Sequence, residues 1–157
     1  MRLSWERREC DVELFKRELQ AFVPPAVFDA HAHLYRKADW PEPRGAVELG
    51  PEAVTLDEYR ALMEWVLPGR EVDGLFLGFG GPERVVEANA FVAGQVGSAT
   101  GCAGAMLVTP DMDADYVRQE VRRQGFVALK PYHRFAKRQP TWDADIATFL
   151  PEAHVRV

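Results

Sequence analysis

Apolar positions recur along the chain with two periods, one helical and one extended, and their alternation lays out the elements. Val12, Phe15 and Leu19, with Phe22 just beyond, sit at helical spacing among charges. They predict an amphipathic helix over residues 9 to 21 that stops before Pro24-Pro25. Ala26 to His33, A-V-F-D-A-H-A-H, opens on the β-favouring Val27 and Phe28 and ends in strict alternation, which reads as a strand. Residues 34 to 54 are broken by Pro41, Pro43, Gly45, Gly50 and Pro51 and read as a long loop. Thr55 and Glu58 form a capping box ahead of Leu56, Tyr59, Leu62, Met63 and Val66, a helix ended by Pro68-Gly69. Gly74 to Phe79 follows as a short apolar strand. Pro82 suits the first turn of a helix whose buried stripe is Val85, Val86, Ala88, Phe91, Val92 and Val96, with Gly97 as its C-terminal cap. Ala103 to Val108 is a third strand. Asp113 caps a helix carrying Tyr116, Val117 and Val121, which closes on Arg122, Arg123 and Gly125. Phe126 to Lys130 is a fourth strand, and Asp143 to Val157 reads as the front of another helix.

Short, continuously apolar strands alternating with helices are the mark of βα units on a parallel sheet buried on both faces. The expected fold class is α/β, a partial (β/α)8 TIM barrel made of its first four βα units. A closed barrel takes about 250 residues, and the 157 present are enough for about half. One domain is expected over residues 1–157, with an N-terminal helical segment at 1–24 and the βα units at 26–157. Four parallel strands leave an open edge and an uncovered inner face. That predicts a homo-oligomer or assembly with a missing C-terminal half.

Composition fits a globular domain, with 47% apolar and 27% charged residues. The net charge is -5 and the 19 Lys and Arg are scattered, which argues against a nucleic-acid partner. No apolar run approaches the roughly 20 residues of a membrane span, so no membrane partner is expected. Charged residues from Glu6 to Glu13 precede any apolar run, unlike a secretory signal, and the expected location is the cytoplasm. Cys10 and Cys102 lie far apart without a C-x-x-C around either and are read as reduced, packing cysteines.

The chemistry concentrates at the end of the first strand. Asp29, His31 and His33 are spaced by two, so on a regular strand all three leave one face while Ala30 and Ala32 leave the other. Neutral imidazole is a ligand for divalent transition metals, and two rings about 6 to 7 Å apart along a strand can grip one ion. The alternative is a pair of hydrogen-bonded core histidines, which would leave two polar rings to satisfy in a dry interior. Lys130 ends the fourth strand at the equivalent rim, followed by Pro131, Tyr132 and His133. A lysine there suits a carboxylate-binding cation, a base of lowered pKa or a carbamylated metal bridge, against a bland reading as a snorkelling rim residue.

With V-F-D-A-H-x-H-L at the first strand come V-D-G-L-F-L-G-F-G-G-P, E-A-N-A-F-V-A, M-L-V-T-P-D-M-D-A-D-Y-V and G-F-V-A-L-K-P-Y in the following units. In this order the segments resemble the amidohydrolase-related metal-dependent hydrolases, over roughly residues 20 to 150. The resemblance implies a (β/α)8 barrel holding one or two divalent ions, usually zinc with manganese as the alternative. It also implies a metal-activated water that attacks a carbon-nitrogen or lactone ester bond of a small-molecule substrate. His31 and His33 match the first two metal ligands. Lys130 is then the candidate catalytic residue, Tyr132 and His133 would contact substrate, and Asp29 would orient neighbouring groups. The family's later ligands, a His on strand five, a His on strand six and an Asp on strand eight, have no counterpart, and His154 falls in the tail. Hydrolytic zinc needs three protein ligands, so the expectation is the N-terminal half of such an enzyme, truncated and with little or no activity alone. The rival expectation is a non-catalytic α/β fragment or interaction domain with structural histidines.

Other motifs are weaker. Gly78-Phe79-Gly80-Gly81 precedes a helix as anion-binding turns do, but Glu83 stands where a dinucleotide fingerprint needs glycine. An anion-binding module using Gly80 and Gly81 is kept as a third expectation. Asp111, Asp113 and Asp115 imitate the start of a calcium loop, yet Tyr116 occupies its glycine position.

Overall fold

The computed structural model describes residues 8–40, 45–138 and 140–157. The protein is α/β, with an open, mixed and mostly parallel sheet of five strands. Helix α1 (Glu9–Leu14) continues through a wider π-type turn at Phe15–Leu19 into strand β1 (Ala26–Arg36). A short helix α2 (Ala46–Leu49) and strand β2 (Ala53–Val54) lead to helix α3 (Leu56–Val66) and strand β3 (Glu71–Gly78). Helix α4 (Val85–Val96), strand β4 (Ala103–Val108), helix α5 (Ala114–Gln124), strand β5 (Ala128–Pro131) and helix α6 (Glu152–Val155) complete the order. The sheet runs β2-β1-β3-β4-β5 and does not close.

Local chemistry explains most of these boundaries. The Thr55 hydroxyl accepts from the Glu58 amide at 3.1 Å to start α3, and the Asp113 carboxylate accepts from the Asp115 and Tyr116 amides, both at 3.0 Å, to start α5. Gly125 ends α5 at φ 73°, where a side chain would strain the backbone. Gly97 caps α4 as expected, but at φ -60°, with its amide donating to the Ala93 carbonyl.

Other expectations need correction. The segment over residues 34 to 54 is not all loop. Strand β1 continues through Leu34 and Tyr35 to Arg36, and β2 pairs antiparallel with it, Tyr35 opposite Val54 and Arg36 opposite Ala53. Pro41 and Pro43 lie outside the described residues, as do residues 1–7 of the N-terminal helical segment. The last strand is shifted, because the Val127 amide turns to the Gly104 carbonyl before the ladder with β4 begins at Ala128. The tail from Asp143 is not one helix. It is a pair of 3-10 turns at Thr141–Asp143 and Ile146–Thr148 followed by α6, since Pro151 has no amide to carry a helix across.

One sheet face packs against helices and forms the core. Ala32, Phe76 and Gly104 are partners in one row across β1, β3 and β4, and Phe76 joins Val92, Val96, Met106, Val117 and Phe126 in the buried cluster. Gly104 is required there, because a Cβ would stand 2.9 Å from the Phe126 ring. Asn89 on α4 is buried with a defined task. Its Nδ2 donates to the Leu107 carbonyl and its Oδ1 accepts from the Leu107 amide, both at 2.8 Å. The parallel ladder between β3 and β4 runs only through the pair Leu77 and Ala105, so the amide side chain takes over where a strand partner is lost.

The opposite face carries His33, Leu77, Ala105 and Ala128 as partners in one row. Lys130, two residues beyond Ala128, leaves β5 on that same face.

Candidate metal centre and adjoining cavity

The histidine pair converges, though not as a regular strand would display it. In the β1–β3 ladder Asp29 faces Gly74 and Ala32 faces Phe76, so three steps on β1 match two on β3. This bulge inserts one residue and reverses the alternation between Asp29 and His33. Asp29 therefore does not share a face with the imidazoles. Its Oδ2 accepts from the Tyr59 hydroxyl of α3 at 2.9 Å, and its Oδ1 accepts from the His31 amide at 2.9 Å. Tyr59 itself stands edge-on to Phe76 at 4.9 Å, which places the carboxylate on the helix side. Asp29 orients His31 through its backbone, holding the bulge in shape.

The His31 and His33 rings lie 5.2 Å apart between centroids, tilted by 49°. His31 is exposed and His33 half-buried. Burial lowers the His33 pKa from 6.5 to about 4, helped by the charges of His31 and Lys130 and opposed by the Gly78 backbone and Asp29. At neutral pH the ring is uncharged and able to donate a lone pair. Its Nδ1 is buried without a hydrogen-bond partner.

Behind the pair runs a line of aromatic groups from three different loops. His33 packs edge-on against Phe79 at 5.0 Å, Phe79 stacks on Trp40 at 4.6 Å, and the Arg134 guanidinium covers Trp40 at 5.2 Å. The loop after β1 is fixed by Asp39, which is buried and accepts from Arg36 Nε and Nη2 at 2.8 and 3.0 Å. The Asp39 carbonyl takes the Gly81 amide at 3.0 Å. A Cβ on Gly80 would fall 2.7 Å from that same oxygen. These glycines allow two loops to touch. The Gly81 amide is spent on protein and is not offered to an anion.

Lys130 shares the face and field of His33, and its ammonium lies 5.8 Å from the centre of the Tyr132 ring. Tyr132 packs edge-on against His133 at 5.3 Å. His133 turns elsewhere, with Nδ1 3.2 Å from the Thr141 hydroxyl, and makes no contact with the histidine pair. His154 is buried in the tail, its Nε2 2.7 Å from the Met112 carbonyl, and pins α6 to the start of α5. Both cysteines are free, Asp111 pairs with Lys137 at 2.7 Å, and no helix among the described residues is long and apolar enough to cross a membrane.

A cavity of about 420 Å³ opens beside the histidines. Val47, Val54, Tyr59, Leu62, Met63 and Phe79 form most of its wall, with Tyr35 and Asp29 adding polar groups. Tyr59, Leu62 and Met63 are legible along the chain only as helix stripe. Tyr35, Trp40 and Phe79 carry no local signal, because strand β1 and the loops after β1 and β3 bring them together only in the fold. Among the described residues, no three His, Cys, Asp or Glu side chains are grouped to hold a metal ion. Searches against family models, curated proteins and solved structures returned no match for the chain.

Proposed function

We propose that this α/β unit is the opening half of a (β/α)8 barrel of the amidohydrolase type, and that it supplies the first two metal donors of a hydrolase. One observation carries the reading: two imidazoles converge within β1, near the end of its parallel ladder with β3, with centroids 5.2 Å apart. The donor set fits a divalent ion in part. His33 is half-buried and neutral, and while its ring bonds the Gly78 backbone, its Nδ1 has no hydrogen-bond partner. Among the described residues no third donor is grouped with the pair, and hydrolytic zinc requires one.

Zinc, or manganese in its place, would supply a bound water of pKa about 7 and polarise a substrate carbonyl. The chain's own residues set up the rest. Asp29 holds the His31 backbone through its carboxylate and is itself held by Tyr59. Lys130 presents an ammonium on the His33 face, suited to an oxygen that gains negative charge. Tyr132 sits below that ammonium as a substrate contact, and His133, committed to Thr141, belongs to the rim.

That no third donor is grouped with the pair among the described residues favours a second reading, a non-catalytic α/β interaction domain whose histidines are structural. Calorimetric titration with zinc separates the two. The metal reading expects one ion per chain, lost in the His31→Ala/His33→Ala double variant. A wild type that takes up no zinc, or a double variant that takes up as much, overturns it.

A further inference from the structure

We infer that the cavity beside the histidine pair is a binding site for an uncharged ring compound and that it discriminates against carboxylates of the same shape. Its size sets the class: a cavity of about 150 Å³ holds benzene, so about 420 Å³ admits one or two rings. Its walls are aliphatic and aromatic, with Val47, Leu62, Met63 and Phe79 presenting no polar side-chain atom but a thioether sulfur.

Charge decides the rest. No Lys or Arg lines the cavity among the described residues, and beside the two imidazoles and the tyrosine hydroxyls its one carboxylate is Asp29. That carboxylate already accepts from Tyr59 and from the His31 amide, so it neither needs a ligand's donor nor tolerates a ligand's negative charge nearby. Tyr35 supplies the specific polar group. It is buried, its hydroxyl has no hydrogen-bond partner, and it lines the same cavity. A buried hydroxyl without a partner is a cost that a ligand's oxygen or nitrogen would remove.

The inference deepens the hydrolase reading and rests on it for the reactive end of the molecule: a neutral cyclic ester or amide would lie in the cavity with its carbonyl toward His31 and His33. The ring selectivity itself needs no metal. Fluorine NMR titration of the protein with 4-fluorophenol and with 4-fluorobenzoate, both in EDTA near neutral pH, therefore tests it whatever becomes of the zinc titration. The expected result is saturable binding of the phenol at one site per chain, with the benzoate weaker by about tenfold or more. Tyr35→Phe should weaken the phenol by about three- to tenfold, the scale of one hydrogen bond, and Leu62→Trp should block it by filling the space. Equal binding of the two probes, no saturable binding of the phenol, or an affinity unchanged in Tyr35→Phe overturns the inference. The comparison of the two probes on the wild-type chain stands even if a variant fails to fold.

Discussion

Acidification should destabilise the fold through His33 in a way that can be isolated. The folded pKa is lowered from 6.5 to about 4, chiefly because burial disfavours the charged ring. In the unfolded chain the ring takes its proton near pH 6.5, while in the folded chain it does so only near pH 4. Between those values the unfolded state binds more protons, so stability rises with pH. The contribution is complete above about pH 6.5, declines as pH falls, and is gone below about pH 4. At about 1.4 kcal/mol per unit, with allowance for solvent reaching a half-buried ring, the loss is about 2 to 3 kcal/mol. Urea midpoints for wild type and His33→Phe, measured from about pH 7.5 down to about pH 4, isolate this one group, because every other titrating residue is common to both chains. The wild type should lose about 2 to 3 kcal/mol relative to the variant across that range. A difference that stays flat with pH would show that His33 keeps its proton affinity on folding, and the neutral, donor-ready ring would go with it.

Two further outcomes test the frame that holds the site. Asn89→Ala leaves the buried Leu107 amide and carbonyl without partners, and urea unfolding should show a loss of about 2 to 4 kcal/mol. A change under about half a kcal/mol would mean that water or another strand takes over. Gly104→Ala sets a methyl 2.9 Å from the Phe126 ring, and thermal unfolding should register about 1 to 3 kcal/mol of overpacking. No change in the melting temperature would show that Phe126 moves aside freely.

Where one residue's chemistry settles a structure, the sequence is readable. Asp113 and Thr55 accept from amides two and three residues ahead, and Gly125 takes a left-handed turn at φ 73°, all within the span of a single turn. The apolar strand Ala103–Val108 likewise stands where its composition put it. Strand β2 is a different case. Ala53 and Val54 have no strand signal of their own, and they become a strand only because Tyr35 and Arg36 pass alongside. The tail shows the same dependence in reverse: apolar residues after Asp143 suggested a helix, but Pro151 and the docking of His154 on Met112 break it into short turns.

The site turns on the same distinction between local and distant causes. Spacing by two correctly brought His31 and His33 together, since both follow the bulge or belong to it. It misplaced Asp29, because alternation is a property of regular strands, and one extra residue between Asp29 and Ala32 reverses it. That reversal has a functional consequence. On the imidazole face the carboxylate would compete for the same ion and oppose the lowering of the His33 pKa more strongly than it does now. On the helix side it instead fixes the His31 backbone and puts a single negative charge at the cavity wall. The bulge thus parts the Asp29 carboxylate from the imidazoles that a regular strand would have put beside it, and under the proposed reading this leaves the two rings free for a cation.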